Sequence, residues 1–305
     1  MISYRYRNIK DEGLRTLKEF KIGSWVNVEN PSLQEITALS KLLGLEESLI
    51  HDALDVYEAP RIEVERGIVY VFTRYPVVDT TNTVTLPILI VIGEQFFLTV
   101  CTQECSLLAQ TREMKNVFST QKTKLFLQVF SQITSAYTTY LHQMNKNIRM
   151  SMLKLERITN NDIVEFVRYE GILSDFLYSM EQTHTVLKNV LSGKFLPLYD
   201  QDEDLAEDIV LNYGQLMEMC RSNLRTIANI RAAYSTITTN TLNRTMKLLT
   251  SLTILVTIPT MISSLYGMNV ALPGSGSSVA FYWIIGFIVG SAGVVTLVFM
   301  KNKWL

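Results

Sequence analysis

Between Leu248 and Met300 the chain carries 53 consecutive residues without Asp, Glu, Lys, Arg or His. Such a run is too long for one buried core helix and long enough to cross a hydrocarbon layer of about 30 Å twice. All 28 Lys and Arg and all 29 Asp and Glu lie outside it. One part of the chain is therefore built for water and another for lipid.

Leu248 to Met268 and Val279 to Met300 are each long enough to span as a helix. The stretch between them, Asn269 to Ser278, contains Pro, Gly and three Ser, which end a helix and leave a short uncharged turn. Arg244 and Lys247 precede the first span, and Lys301 and Lys303 follow the second. Positive flanks stay inside, so both termini are expected in the cytoplasm and the turn outside. Trp304, Tyr266, Tyr282 and Trp283 sit where an interfacial aromatic belt is expected. Met1 to Lys10 holds no apolar stretch with a small-residue cleavage site, so no secretory signal is expected.

The two spans differ in polarity. The second is almost wholly Ile, Val, Phe and Gly, as a lipid-facing helix would be. The first carries Asn243, Met246, Leu249, Thr253, Thr257, Thr260 and Ser264 at helical steps leading to Asn269, which places them near one face. Hydroxyls in a membrane helix commonly bond their own preceding carbonyls or join helices. A polar stripe of this length also suits a water-filled path, which several copies around an axis would enclose. Pro259 in the same span marks either a bend near such a path or a plain kink.

From Asp200 to Pro259 only Gly214 interrupts helix-forming residues, so one helix of about 100 Å is expected from Asp202 to Tyr266. Ile209, Leu216, Cys220, Leu224, Ile227, Ile230, Tyr234 and Ile237 form an apolar seam that must meet other helices, in the same chain or in copies. Its start holds Asp200, Asp202, Glu203, Asp204, Glu207 and Asp208. These acids complement the helix dipole, or they hold a divalent cation through carboxylate oxygens.

Upstream, strands are expected at Ser24 to Val28, Arg61 to Glu65, Ile68 to Tyr75, Val84 to Ile92 and Gln95 to Val100. Helices are expected at Ser32 to Leu43, Glu47 to Tyr57, Cys105 to Phe118, Lys122 to Arg157 and Asp162 to Val190, the last two separated by a turn at Thr159 to Asn161. The organisation reads as a cytoplasmic α+β domain over 1–120, a helical hairpin and stalk helix over 121–246, and a transmembrane hairpin over 247–305. Its spans lie near 247–268 and 279–300, with the outer loop at 269–278.

Several function classes drop out. A net charge of −1 offers nucleic acid no attraction. No phosphate-binding loop, H-E-x-x-H or G-x-S-x-G string occurs, and His51, His142 and His184 are scattered, so neither nucleotide-driven pumping nor catalysis is expected. Cys101, Cys105 and Cys220 are an odd set without a zinc-ligand array, which fits a reducing compartment.

Tyr266-Gly267-Met268-Asn269 at the outer end of the first span, with Lys301-Asn302-Lys303-Trp304-Leu305 closing the chain, resembles the CorA magnesium channel family. The resemblance implies a funnel-shaped homopentamer in the cell membrane. Gly267, Met268 and Asn269 would be the selectivity motif. Asn243, Met246, Leu249, Thr253, Thr257, Thr260 and Ser264 would line the pore, with a polar ring at Asn243 and a hydrophobic constriction at Met246 and Leu249. A regulatory cation between subunits would use Asp208 and Asp52, with Asp55 as a substitute for Asp52. Mg²⁺ would be both cargo and regulator, and the partners would be further copies and lipid. The turn over 271–278 lacks the acid often found there in the family. Zinc or another divalent cation is the alternative cargo, and a membrane-anchored scaffold the alternative class.

Overall fold

The computed structural model describes residues 1–305 apart from 79–82, 153–157, 271, 273–277, 303 and 305. The chain divides into two compact units, Met1–Asn229 and Ile230–Leu305.

Seven strands form one sheet in the first unit: β1 Ile2–Tyr6, β2 Arg15–Leu17, β3 Ser24–Glu29, β4 Arg61–Glu65, β5 Ile68–Val78, β6 Thr83–Ile92 and β7 Phe96–Cys101. Their order is β2-β1-β3-β7-β6-β5-β4. Only β3 and β7 run parallel, and the other neighbours are antiparallel hairpins or meanders. β3, β6 and β7 are buried on both faces, in keeping with runs such as Leu86 to Ile92 that show no polar alternation.

One sheet face packs on α1 Leu33–Leu43 and α2 Glu47–Asp52, with Val26, Val28, Tyr70, Phe72, Leu89 and Leu98 meeting Ile36, Leu39, Leu49 and Ile50. Ser32 and Glu35 form a capping box at the start of α1, and Gly44 ends it in the left-handed conformation at φ 67°. The other face takes the long helices α4 Lys122–Met152 and α5 Asn160–Asn189, where Thr73 bonds Thr183 at 3.0 Å and Tyr137 donates to the Arg74 carbonyl at 3.2 Å. A further helix, α3 Ser106–Glu113, packs along α4.

α5 continues into a π-helical turn over Val190–Lys194, where Gly193 takes φ 78° and breaks the run. Then α6 runs unbroken over Asp200–Tyr266. Within the first unit Tyr213 on α6 meets Tyr137 on α4 edge to face at 6.4 Å, and Arg221 reaches Glu181 on α5 at 2.5 Å. Ile209, Leu216, Cys220 and Ile227 of the expected seam are buried, whereas Ile237 is 40% exposed. Ile230 is buried as well, so the seam becomes exposed only toward Ile237. The second unit contains the rest of α6 and α7 Ser278–Lys301.

The differences from the sequence expectation are local. β1 and β2 were not expected. The helix read at Glu47 to Tyr57 ends at Asp52, and that at Cys105 to Phe118 covers only Ser106 to Glu113. Thr159 caps α5 together with Asp162, so Asn160 and Asn161 belong to the helix rather than to a turn. The end of the helix expected to reach Arg157, most of the loop expected at 269–278, and Lys303 lie outside the described residues.

Candidate functional site

Along α6 the residues from Asn243 to Ser264 separate into two faces. At 100° per residue, Met246, Leu249, Thr253, Thr257, Thr260 and Ser264 fall within about 80° of one another, and Asn243 lies at their edge. All seven are exposed in the chain, Met246 at 52% and Leu249 at 54%. Ser251, Leu255, Ile258, Pro259 and Ile262, the residues of this stretch that the chain covers at least in part, lie about 180° away, and Ser251 is fully buried. In this unit α7 is the other helix available to cover them. Its own partly covered residues, among them Ile284, Ile288, Ser291, Val295 and Phe299, also share one face. The hydroxyl stripe therefore points away from the hairpin partner.

The hydroxyls themselves are turned toward their own backbone. Thr253 donates to the Leu249 carbonyl at 2.9 Å, Thr257 to Thr253 at 2.7 Å and Thr260 to Val256 at 2.8 Å. This is the back-bonding that threonines in membrane helices adopt. It has a chemical consequence: each hydroxyl has one proton and two lone pairs, and the proton is spent inside the helix. What the stripe offers outward is acceptor oxygen, which suits a cation or the hydrogens of its water shell.

At the end of α6 the Gly267 amide bonds the carbonyls of Ser263 at 3.0 Å and Ser264 at 3.2 Å, and Met268 bonds Leu265 at 3.3 Å. Helical pairing stops there, and Asn269 follows exposed. A Cβ added at Gly267 would meet the carbonyl oxygens of Ser263 and Ser264 at 3.4 and 3.5 Å, ordinary contact. Among the described residues nothing demands glycine at this position.

The residues expected to regulate the site are placed apart from one another in sequence and element. Asp208 is exposed on the first turns of α6, near Glu203, Asp204 and Glu207. Asp202 of the same cluster is buried, and its amide bonds the Tyr199 carbonyl at 2.7 Å. Asp52 ends α2, where its carboxylate is held by Arg61 at 2.6 Å. Arg61 also binds Glu63 at 2.5 Å and Glu58, and it lies over the Phe72 ring at 4.0 Å. Among the described residues no group of three or more His, Cys, Asp or Glu is placed to hold a metal ion. Asp52 and Asp208 of one chain thus do not make a metal centre by themselves. The role of Arg61 was not read from the sequence. Its distance of nine residues from Asp52 gives no local signal, and only the β4 pairing brings it there.

Both helices are apolar enough to cross a membrane. None of the apolar window of α7 is buried by the chain, and only 11% of that of α6. Something outside the chain must cover them.

A family model described as CorA-like Mg²⁺ transporter protein matches residues 21–301. The chain belongs to the CorA family. The cobalt/magnesium transport protein CorA of Methanocaldococcus jannaschii is 23% identical over 292 residues, covering 92% of this chain and 91% of that protein. The complete structure of the CorA magnesium transporter from the same organism aligns with a TM-score of 0.87 at 21% identity, covering 100% of this chain and 99% of that one. The full-length CmaX protein aligns at 0.79 with 16% identity, covering 100% and 98%. The cytoplasmic domain of ZntB from Vibrio parahaemolyticus aligns at 0.64 with 8% identity, covering 78% of this chain and 98% of that one. These three likenesses establish the fold. CorA is a family of transporters, not of enzymes, and with two candidate spans this member is a membrane protein.

Proposed function

We propose that this CorA-family chain is a divalent-cation channel, carrying Mg²⁺ into the cell down the membrane potential. The observation that carries the reading is the acceptor-lined face of α6, which points away from α7 and leads to Gly267, Met268 and Asn269. Five copies around an axis would turn these faces inward and enclose water, with lipid covering α7. Both termini would then lie in the cytoplasm.

Mg²⁺ sheds its water reluctantly, so a ring of neutral Asn269 amides can hold the hydrated ion without stripping it. A carboxylate ring would retain the ion. No fuel is required, since a divalent cation entering gains about 4.6 kcal/mol per 100 mV of inside-negative potential. At the inner end, rings of Met246 and Leu249 on the outer side of the Asn243 ring would close by excluding water.

For regulation, cytoplasmic Mg²⁺ would bridge Asp208 of one copy to Asp52 of its neighbour and favour the closed state. When Mg²⁺ is scarce, carboxylate repulsion would loosen the ring. Arg61 already neutralises Asp52 in the chain, so the ion would have to exchange for a guanidinium.

Uptake into proteoliposomes under an imposed potential tests the reading. Mg²⁺ enters with the wild type and at least tenfold more slowly with Asn269→Ala. Equal flux in both removes the pore assignment and leaves a membrane-anchored scaffold. Zn²⁺ uptake in place of Mg²⁺ assigns the chain to zinc transport with the same architecture.

A further inference from the structure

The first unit contains a cavity that neither the proposed ion path nor Asp52 and Asp208 line. Its volume is about 760 Å³, within the range of small-molecule sites. One wall is the start of α4, Thr120 to Lys124. The other is the linker from Leu196 to Tyr199, with Asp202 on the first turn of α6. Thr123 joins the walls by donating to the Pro197 carbonyl at 3.1 Å.

Asp202 is the group that points to a ligand. It is 7% exposed, yet among the described residues its carboxylate accepts no hydrogen bond and forms no ion pair. A carboxylate so far removed from bulk water is costly to leave without a donor. The lysines of the wall do not supply one. Lys122 directs its ammonium to the Gly93 and Glu94 carbonyls, at 2.7 Å each. Lys124 is half-buried, and among the described residues its ammonium has no partner. A negative and a positive group thus share one cavity without meeting.

The start of α4 adds further donors. Its first helical bond runs from the Leu125 amide to the Gln121 carbonyl at 2.9 Å, so the amides of Lys122, Thr123 and Lys124 come before it with no acceptor inside the helix. Gln121 does not cap them, since its Oε1 is buried without a partner. Those amides and Lys124 suit a carboxylate. Among the described residues of the wall, two lysines and the N-termini of α4 and α6 outweigh the single charge of Asp202. The field therefore favours a ligand of net negative charge that still brings a strong donor for Asp202.

We propose that this cavity is a binding site for an acidic amino acid. The ligand's ammonium sits on Asp202, and its carboxylates take Lys124 and the free amides of α4. None of these residues belongs to the α6 stripe or to the Asp52 and Asp208 pair, so binding here stands apart from ion flux.

The test is isothermal titration of the full-length protein in detergent with L-glutamate and with succinate, which keeps both carboxylates and lacks the ammonium. L-Glutamate should saturate a single site per chain. Asp202→Asn and Lys124→Gln should each weaken it about tenfold or more, the loss expected for one charge-assisted hydrogen bond. Succinate should bind the wild type about tenfold or more weakly than L-glutamate, and about equally well to Asp202→Asn and the wild type. Absence of saturable L-glutamate binding overturns the site, as does wild-type affinity in either folded variant. Succinate binding as tightly as L-glutamate overturns the role of Asp202 and leaves a plain anion site. If Asp202→Asn fails to fold, Lys124→Gln and the comparison of the two ligands on the wild type still decide.

Discussion

Thr99 shows how the first unit uses single polar atoms. Its hydroxyl accepts from Trp25 Nε1 at 2.9 Å and donates to Asn27 at 2.8 Å, all three residues being buried. Thr99→Val keeps the shape and strands both partners, so it should cost about 1–3 kcal/mol in chemical denaturation; an unchanged midpoint would show that water replaces the hydroxyl. His184 gives a pH dependence. Burial lowers its pKa, and Lys188 lowers it further. The unfolded chain therefore binds the proton first as pH falls, so this contribution to stability is complete above the ordinary value near 6.5 and is lost below it. Thermal melts from about pH 7 to about pH 5 should fall more steeply for the wild type than for His184→Gln, and parallel curves would remove the histidine from the account. At Asp52, freeing the carboxylate by Arg61→Gln should let Mg²⁺ protect the soluble unit from protease at lower concentration, while Asp208→Ala should weaken that protection. If neither variant shifts the midpoint, the regulatory proposal fails and the pore proposal stands.

Among the elements, α6 was the most legible, because a membrane helix must write its two faces in one period. Residues stepping by three and four from Asn243 to Ser264, hydroxyl-bearing from Thr253 on, marked the exposed face, and the structure puts Ser251 on the opposite, covered one. The faces predict opposite responses. Ser251→Leu overpacks the hairpin at a cost of about 1–3 kcal/mol and lowers its thermal stability in detergent. Thr257→Val keeps that stability and slows Mg²⁺ flux; the reverse pattern would mean the faces have been exchanged. β1 could have been read, because Ile2-Ser3-Tyr4-Arg5-Tyr6 alternates apolar and polar residues and puts Ile2 and Tyr4 on the core. β2 was illegible, since Arg15 to Leu17 is three mostly exposed residues, too few to show a period, and pairing with β1 makes them a strand. The Asp52 partner was hidden likewise, since β4 carries Arg61 to the end of α2 only in the folded sheet.

For the whole molecule, two long apolar helices left largely uncovered by their own chain need a cover from outside it, which the proposed function assigns to lipid and further copies. The CorA fold supplies the hairpin and the soluble unit, while the proposed wet path would be a property of several chains at once. Cysteine accessibility separates the two surfaces most directly. Thr257→Cys should react from water with a charged thiosulfonate in the reconstituted protein, and Mg²⁺ flux should stop as it does. Leu297→Cys, on the exposed face of α7, should stay unlabelled under lipid with flux unchanged. Labelling of Leu297→Cys with Thr257→Cys protected would put the hydroxyl stripe against lipid and contradict the enclosed path.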